Sequence, residues 1–239
     1  MEQTHAHPLL LTDLRLEEAL ALLRHSGYET PEDAPGDVER MQHLIDSLCD
    51  LSQRDALTGL ANVDHFRQVL DRELERVARM GDGTSLLLLG IDHMAQLTDM
   101  NGRAAAEAAL RTVAAILPRS VRGMDFVARV GEEDFAVIVP GVATQHTRRI
   151  AERLRAVIAR TPIALSEEMT VRVTVSVGGA SAPPWRRMRA GTLIAAADRQ
   201  LLAARSRRRD HIAIDSLPNT RVSIEERAML FADPGEPQP

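Results

Sequence analysis

Three consecutive carboxylates, Glu132-Glu133-Asp134, separate Gly131 from the apolar run Phe135 to Val139. A second apolar run, Phe126-Val127-Ala128, lies just before them. Apolar segments on both sides of a short glycine-containing turn predict a β-hairpin, here over 124–140. Hairpin tips are normally served by Asn, Asp or Gly, so three acids in a row bring more negative charge than a turn needs. Upstream stands Arg122-Gly123-Met124-Asp125. A guanidinium can donate two parallel hydrogen bonds, and a carboxylate can accept from N–H groups, so the pair could meet a ligand with both acceptor and donor edges. The plainer reading of Arg-x-x-Asp is a surface ion pair leading into a strand.

The elements that must position these residues follow from hydrophobic spacing. Residues 9–25 read as an amphipathic helix carrying Leu10, Leu14, Leu16, Leu20 and Leu23. Gly27 to Gly36, with Pro31 and Pro35, reads as a linker. A second helix begins at Asp37 and spaces Val38, Met41, Ile45, Leu48 and Ser52 as a short heptad seam. That seam suits either a weak homodimer or packing onto its own domain. From Asp55 the expected order is a helix over 62–80, a strand over 84–91, a helix over 101–117, the hairpin, and a helix over 143–160. A strand over 169–180, a helix over 191–206 and a strand over 211–214 complete it. Helices interleaved with strands indicate an α/β (α+β) domain. The tail from Ser216 holds one short helical stretch and ends in a Pro-rich segment expected to be disordered.

Composition narrows the function. With 44% hydrophobic residues among 239, a sizeable core is available; it is built from aliphatic side chains because aromatics are only 3%. A formal charge of −5 argues against a nucleic-acid polymer as partner. Cys49 is the single cysteine, which excludes an internal disulfide and suits a reducing cytoplasm. The longest apolar run, Leu86 to Ile91, is far short of the roughly 20 residues that span a bilayer. The histidines form no metal cluster. A cytoplasmic protein without membrane insertion is expected.

Five segments in order resemble the GGDEF family, the diguanylate cyclases that join two GTP molecules into cyclic di-GMP. Asp55-Ala-Leu-Thr-Gly-Leu-Ala-Asn62 is similar to the family's opening Asp-x-Leu-Thr-Gly-Leu-x-Asn, and Leu86 to Met94 to its Leu-Asp-Ile-Asp-His-Phe strand. Gly131-Glu132-Glu133-Asp134-Phe135 resembles the signature Gly-Gly-Asp/Glu-Glu-Phe. Val173-Thr-Val-Ser-Val-Gly178 and Asp198 to Arg209 resemble the closing strand and helix. The resemblance covers about 55–215 and implies a palm-like domain with a central mixed five-stranded sheet flanked by helices. Residues 1–36 would be an N-terminal helix and linker, 37–54 a connecting helix, and 216–239 a tail.

The resemblance also implies a changed active site. In family cyclases two divalent ions bridge the GTP phosphates. One metal carboxylate falls on Gly90, which has no side chain; Glu133 and the Ile91 carbonyl retain the other metal positions. Asp92 lies two residues on, roughly 6.6 Å along the strand, too far to substitute. Glu132 replaces a glycine beside the phosphates, where a carboxylate would be repelled by about 4 kcal/mol at 4 Å and an effective dielectric of 20. Asp134 replaces a glutamate implicated in assisting the nucleophile. The base-reading Asn falls on Thr98 and its partner on Glu107, while Gly131, Arg205 and Arg209 keep nucleotide-binding positions. The expectation is a degenerate site: Glu133 and Asp134 vestigial catalytic residues, Ile91 and Glu133 vestigial metal ligands, and Glu107, Gly131, Glu132, Arg205 and Arg209 vestigial nucleotide contacts.

Arg122 and Asp125 stand in the family's inhibitory-site register, with five residues between Asp125 and Gly131. The implied ligand is cyclic di-GMP, with Arg153 as a third contact or else part of a solvated face with Arg148, Arg149 and Arg155. The leading expectation is a non-catalytic receptor that needs no cofactor and signals to a protein partner on another chain. The alternatives are an active or weakly active cyclase using Mg²⁺, and a GTP-binding or nucleotide-free interaction module.

Overall fold

The computed structural model describes residues 16–28, 36–141, 144–166 and 168–215. Its centre is a five-stranded sheet in the order β2-β3-β1-β6-β7, formed by β1 (Thr84–Ile91), β2 (Phe126–Arg129), β3 (Asp134–Pro140), β6 (Val175–Ala182) and β7 (Ile212–Ile214). β1 is antiparallel to both β3 and β6, and β7 joins parallel to β6, so the sheet is mixed as expected. β1 lies in the middle and is buried along its whole length, which explains why Leu86 to Leu89 is apolar without alternation. Odd and even residues go to opposite faces. Leu87, Leu89 and Ile91 pack with Phe135, Val137 and Val175 under α5 (Arg103–Arg119) and α6 (Thr144–Arg160). Leu86 and Leu88 pack with Ala136, Ile138 and Ala180 under α3 (Val63–Met80) and α7 (Ala190–Arg207).

Local signals set the helix ends. Asn62 caps α3 by accepting from the His65 backbone N–H, and Gly81 closes that helix at φ 75°. α7 lies unusually close to β6: a Cβ on Gly178 would stand 2.1 Å from the Leu201 nitrogen and 2.4 Å from the Ala197 oxygen. Gly178 therefore fixes the height of α7 over the sheet.

Two of these expectations need correction, the helix starting at 101 and the strand over 169–180. The first helix is seen as α1 (Glu17–His25); its expected start at 9 and most of the 27–36 linker lie outside the described residues, as does the tail from Ser216. α2 (Asp37–Ser52) does not turn its heptad seam inward. Leu44 and Ser47 are its buried positions, while Val38 and Ile45 are exposed, because the helix meets α1 along a face rotated from the seam. A separate helix, α4 (Met94–Asn101), precedes α5, and Gly102 at φ 81° breaks the two apart. The strand expected over 169–180 is interrupted at 172–174: β5 (Thr170–Val171) pairs instead with β4 (Ile163–Ala164), and β6 starts at Val175. No described helix is long and apolar enough to cross a membrane.

Candidate functional site

Two sites flank the β2–β3 hairpin, and they differ in how their charges are met. The first is at the hairpin tip. Val130 and Gly131 both donate backbone N–H bonds to the Asp134 carbonyl, closing the turn, and Ile91 donates to the Glu133 carbonyl, tying the tip to the end of β1. Gly90 sits opposite Asp134 in the β1–β3 ladder and opposite Ser176 in the β1–β6 ladder. Over this junction the Arg205 side chain comes down from α7. Its Nη2 donates to Glu133 Oε1 at 3.0 Å and to Asp134 Oδ1 at 2.8 Å. Burial pushes the Glu133 carboxyl above its usual range, Arg205 opposes that, and the neighbouring acids Asp134, Asp92 and Glu132 add to it.

Asp92 turns away from this junction. Its buried carboxylate accepts from Thr174 Oγ1, Ser176 Oγ and the Asp210 backbone N–H, which joins the end of β1 to β6 and to the turn before β7. Thr98 donates to the Met94 carbonyl within α4, and Glu107 is held by Arg103 and Arg111 on α5. Arg209 is exposed in a left-handed turn at φ 53°. Arg205 thus joins Glu133 and Asp134; Arg209, Glu107 and Thr98 make no contact with that group.

A divalent ion does not fit the donors as they stand. Mg²⁺ requires an octahedral set of hard oxygens. Gly90 offers no side chain, and Glu133 and Asp134 are already engaged by a guanidinium. Among the described residues, no group of three or more His, Cys, Asp or Glu is placed to hold a metal.

The second site is a cavity of about 360 Å³ between the end of α2 and the segment Arg122–Val127. Arg122 and Asp125 line it together with Asp50, Arg54 and His65. Asp125 Oδ2 accepts from the Arg122 backbone N–H at 2.8 Å, and the Asp125 N–H donates to the Arg122 carbonyl at 2.9 Å. Asp125 Oδ1 is buried and has no hydrogen-bond partner. On the α2 side Asp50 accepts from both Arg54 Nε and the Tyr28 hydroxyl, and the Arg54 bond holds its carboxyl below the usual range. Arg153 is exposed on α6 and is not among the residues lining this cavity. A larger groove, about 1280 Å³ between α3 and the start of α7, mixes Arg67 and Arg187 with Asp71 and Glu75 and holds none of these site residues.

Arg129 ties the hairpin tip to the opening turn of the domain, and sequence reasoning gave it no role. Its Nη1 donates to both Asp55 oxygens at 3.1 Å, its Nε to the Gly131 carbonyl and its Nη2 to the Glu132 carbonyl. Asp55 also accepts from the Thr58 N–H and hydroxyl. Burial alone would raise the Asp55 carboxyl, but the Thr58 and Arg129 hydrogen bonds outweigh it and hold the carboxyl below its usual range. The opening turn of the domain and the acidic tip are therefore one hydrogen-bonded unit.

The family model for the diguanylate cyclase GGDEF domain matches residues 52–211, and the chain belongs to this family. Among curated proteins it is 31% identical over 186 residues to the diguanylate cyclase DgcP of Pseudomonas aeruginosa, covering 71% of this chain and 28% of that one. It is 35% identical over 140 residues to the response regulator PleD of Caulobacter vibrioides, covering 58% and 31% respectively. The chain thus spans less than a third of either relative. The coiled coil and GGDEF domain of DgcB from Caulobacter crescentus, solved with c-di-GMP, superposes with TM-score 0.70 at 25% identity, covering 84% of this chain and 100% of that one. The Pseudomonas aeruginosa cyclase SiaD, solved with its activator SiaC, gives 0.68 at 25% identity, covering 85% and 74%.

Proposed function

We propose that this chain is a catalytically silent GGDEF domain that binds cyclic di-GMP through Arg122 and Asp125 and passes occupancy to a protein partner through α1 and α2. The observation that carries the reading is Asp125 Oδ1, a buried carboxylate oxygen left without a donor at a cavity lined also by an arginine. Buried polar atoms are nearly always satisfied, and guanine N1–H and N2–H are donors of the right kind. Arg122 supplies the complementary donors for O6 and N7. Asp50 and Arg54 of the α2 end share the cavity wall, so a ligand there would touch the helix that leads out of the domain. Two similar proteins supply precedents: DgcB is solved with c-di-GMP, and SiaD with a protein activator.

The cyclase reading draws on DgcP and SiaD, both named as diguanylate cyclases, and would require Mg²⁺. The tip geometry speaks against it, since the Glu133 and Asp134 carboxylates are occupied by Arg205. Calorimetric titration with cyclic di-GMP, run beside a GTP turnover assay in Mg²⁺ or Mn²⁺, separates the two. The expected result is binding without product; product without binding would replace the receptor reading with the enzyme.

A further inference from the structure

Gly90 is a glycine in a place where backbone conformation does not require one. It lies inside a regular buried strand, paired on both sides, and is not among the residues with positive φ. Glycine weakens a strand interior, so what it gives there is room. That room is filled by one group: a Cβ at Gly90 would stand 1.8 Å from Arg205 Nη2, 2.6 Å from Arg205 Cζ and 2.7 Å from Asp134 Oδ1. Leu201, whose backbone rests on Gly178, is one helical turn before Arg205, so the same close approach of α7 delivers the guanidinium. The Arg205 side chain is only 25% exposed.

We infer that Arg205 is the resident cation of the Glu133/Asp134 pair, engaging both carboxylates with its single positive charge in the place a divalent ion would take, and that Gly90 is the residue that admits it. The missing carboxylate at Gly90 and the Arg205 guanidinium that fills its place are then one exchange. A metal carboxylate has been replaced by space, and the space by a covalently attached cation. The tip is set in one conformation without metal, and any incoming divalent ion must first displace the guanidinium. This rests on reading the tip as the altered cyclase site and is independent of cyclic di-GMP binding.

Mn²⁺ alone, followed by electron paramagnetic resonance and by thermal denaturation of the full chain, tests it. The parent chain should show no Mn²⁺ response. Arg205→Ala, and separately Gly90→Ala through eviction of the arginine, should each bind Mn²⁺ at least tenfold more tightly than the parent, and adding Glu133→Gln should cancel the gain. Equal Mn²⁺ affinity in the parent and both variants overturns the inference. A thermal cycle gives a metal-free check. Gly90→Ala should lower Tm by about 3 °C in the parent chain and by less, or not at all, in the Arg205→Ala chain, where the guanidinium is gone and only the tip of the Asp134 side chain must shift. The same shift in both chains also overturns it. Because no nucleotide enters either measurement, a failure of the receptor reading in the cyclic di-GMP titration would leave these results standing, and the reverse holds.

Discussion

At the hairpin tip, two carboxylates and a guanidinium satisfy one another within the chain. In the Arg122/Asp125 cavity, one carboxylate oxygen is buried and left over. The two sites come from the same hairpin and its approach, and both pair arginine with acid, yet they stand in opposite states. Carboxylates already bonded to a guanidinium give a ligand little to add, because binding must first break existing bonds. A buried acceptor lacking its donor has already incurred its desolvation cost, about 1–3 kcal/mol, and recovers it when a donor arrives. Which carboxylate oxygens already have a donor, more than the count of charged residues, separates the two sites.

The largest effect should come from Gly178→Ala. A methyl 2.1 Å from the Leu201 nitrogen meets backbone, which cannot rotate aside as a side chain can. α7 must lift from β6, and Arg205 with it, so unfolding in urea should show a loss of about 3 kcal/mol or more. A change of a few tenths would mean that the height of α7 is not what holds the tip closed. Next comes the contrast between sites. Arg122→Ala should weaken cyclic di-GMP binding roughly tenfold or more, equivalent to about 1.4 kcal/mol, while Glu133→Ala leaves it nearly unchanged. If Glu133→Ala abolished binding and Arg122→Ala did not, the ligand would lie at the tip and the comparison would be reversed.

The smallest effect concerns the Asp55–Arg129 pair that ties the tip to the domain's opening turn. Asp55 has a folded-state carboxyl held below its ordinary value of 3.8, so its contribution is complete above that value and is lost as pH falls through the lower folded one. Asp55→Asn should cost about 1 kcal/mol at neutral pH and flatten the stability profile on the acid side. A parent and variant with parallel acid profiles would show that this pair does not brace the hairpin.

The hairpin, the buried central strand and the long helices were legible because each rests on a local pattern. Apolar runs around Gly131, the unbroken Leu86 to Leu89, and the periodic spacing in α3 and α7 all operate within one element. The failures were local too. α4 is eight residues long with one fully buried side chain, Met94, so its periodicity is too brief to register. β4 and β5 have two residues each and exist through pairing with each other. For α2 the seam left two readings open, and within the chain the buried face carries Leu44 and Ser47 while Val38 and Ile45 stay exposed.

The family, the order of the elements, the position of the acidic tip and the loss of a carboxylate at Gly90 are all legible in local residue patterns. Only the tertiary structure decided what fills that loss. Arg205 meets Glu133 and Asp134 across 72 and 71 residues of chain, and Arg129 meets Asp55 across 74. It likewise decided that Arg153 is not among the residues lining the Arg122/Asp125 cavity, and that Asp125 keeps one oxygen without a donor. The reason is physical: periodicity and turn chemistry act over a few residues. Whether a long side chain reaches a distant carboxylate depends on how closely a helix rests on its sheet, and here Gly178 sets that height.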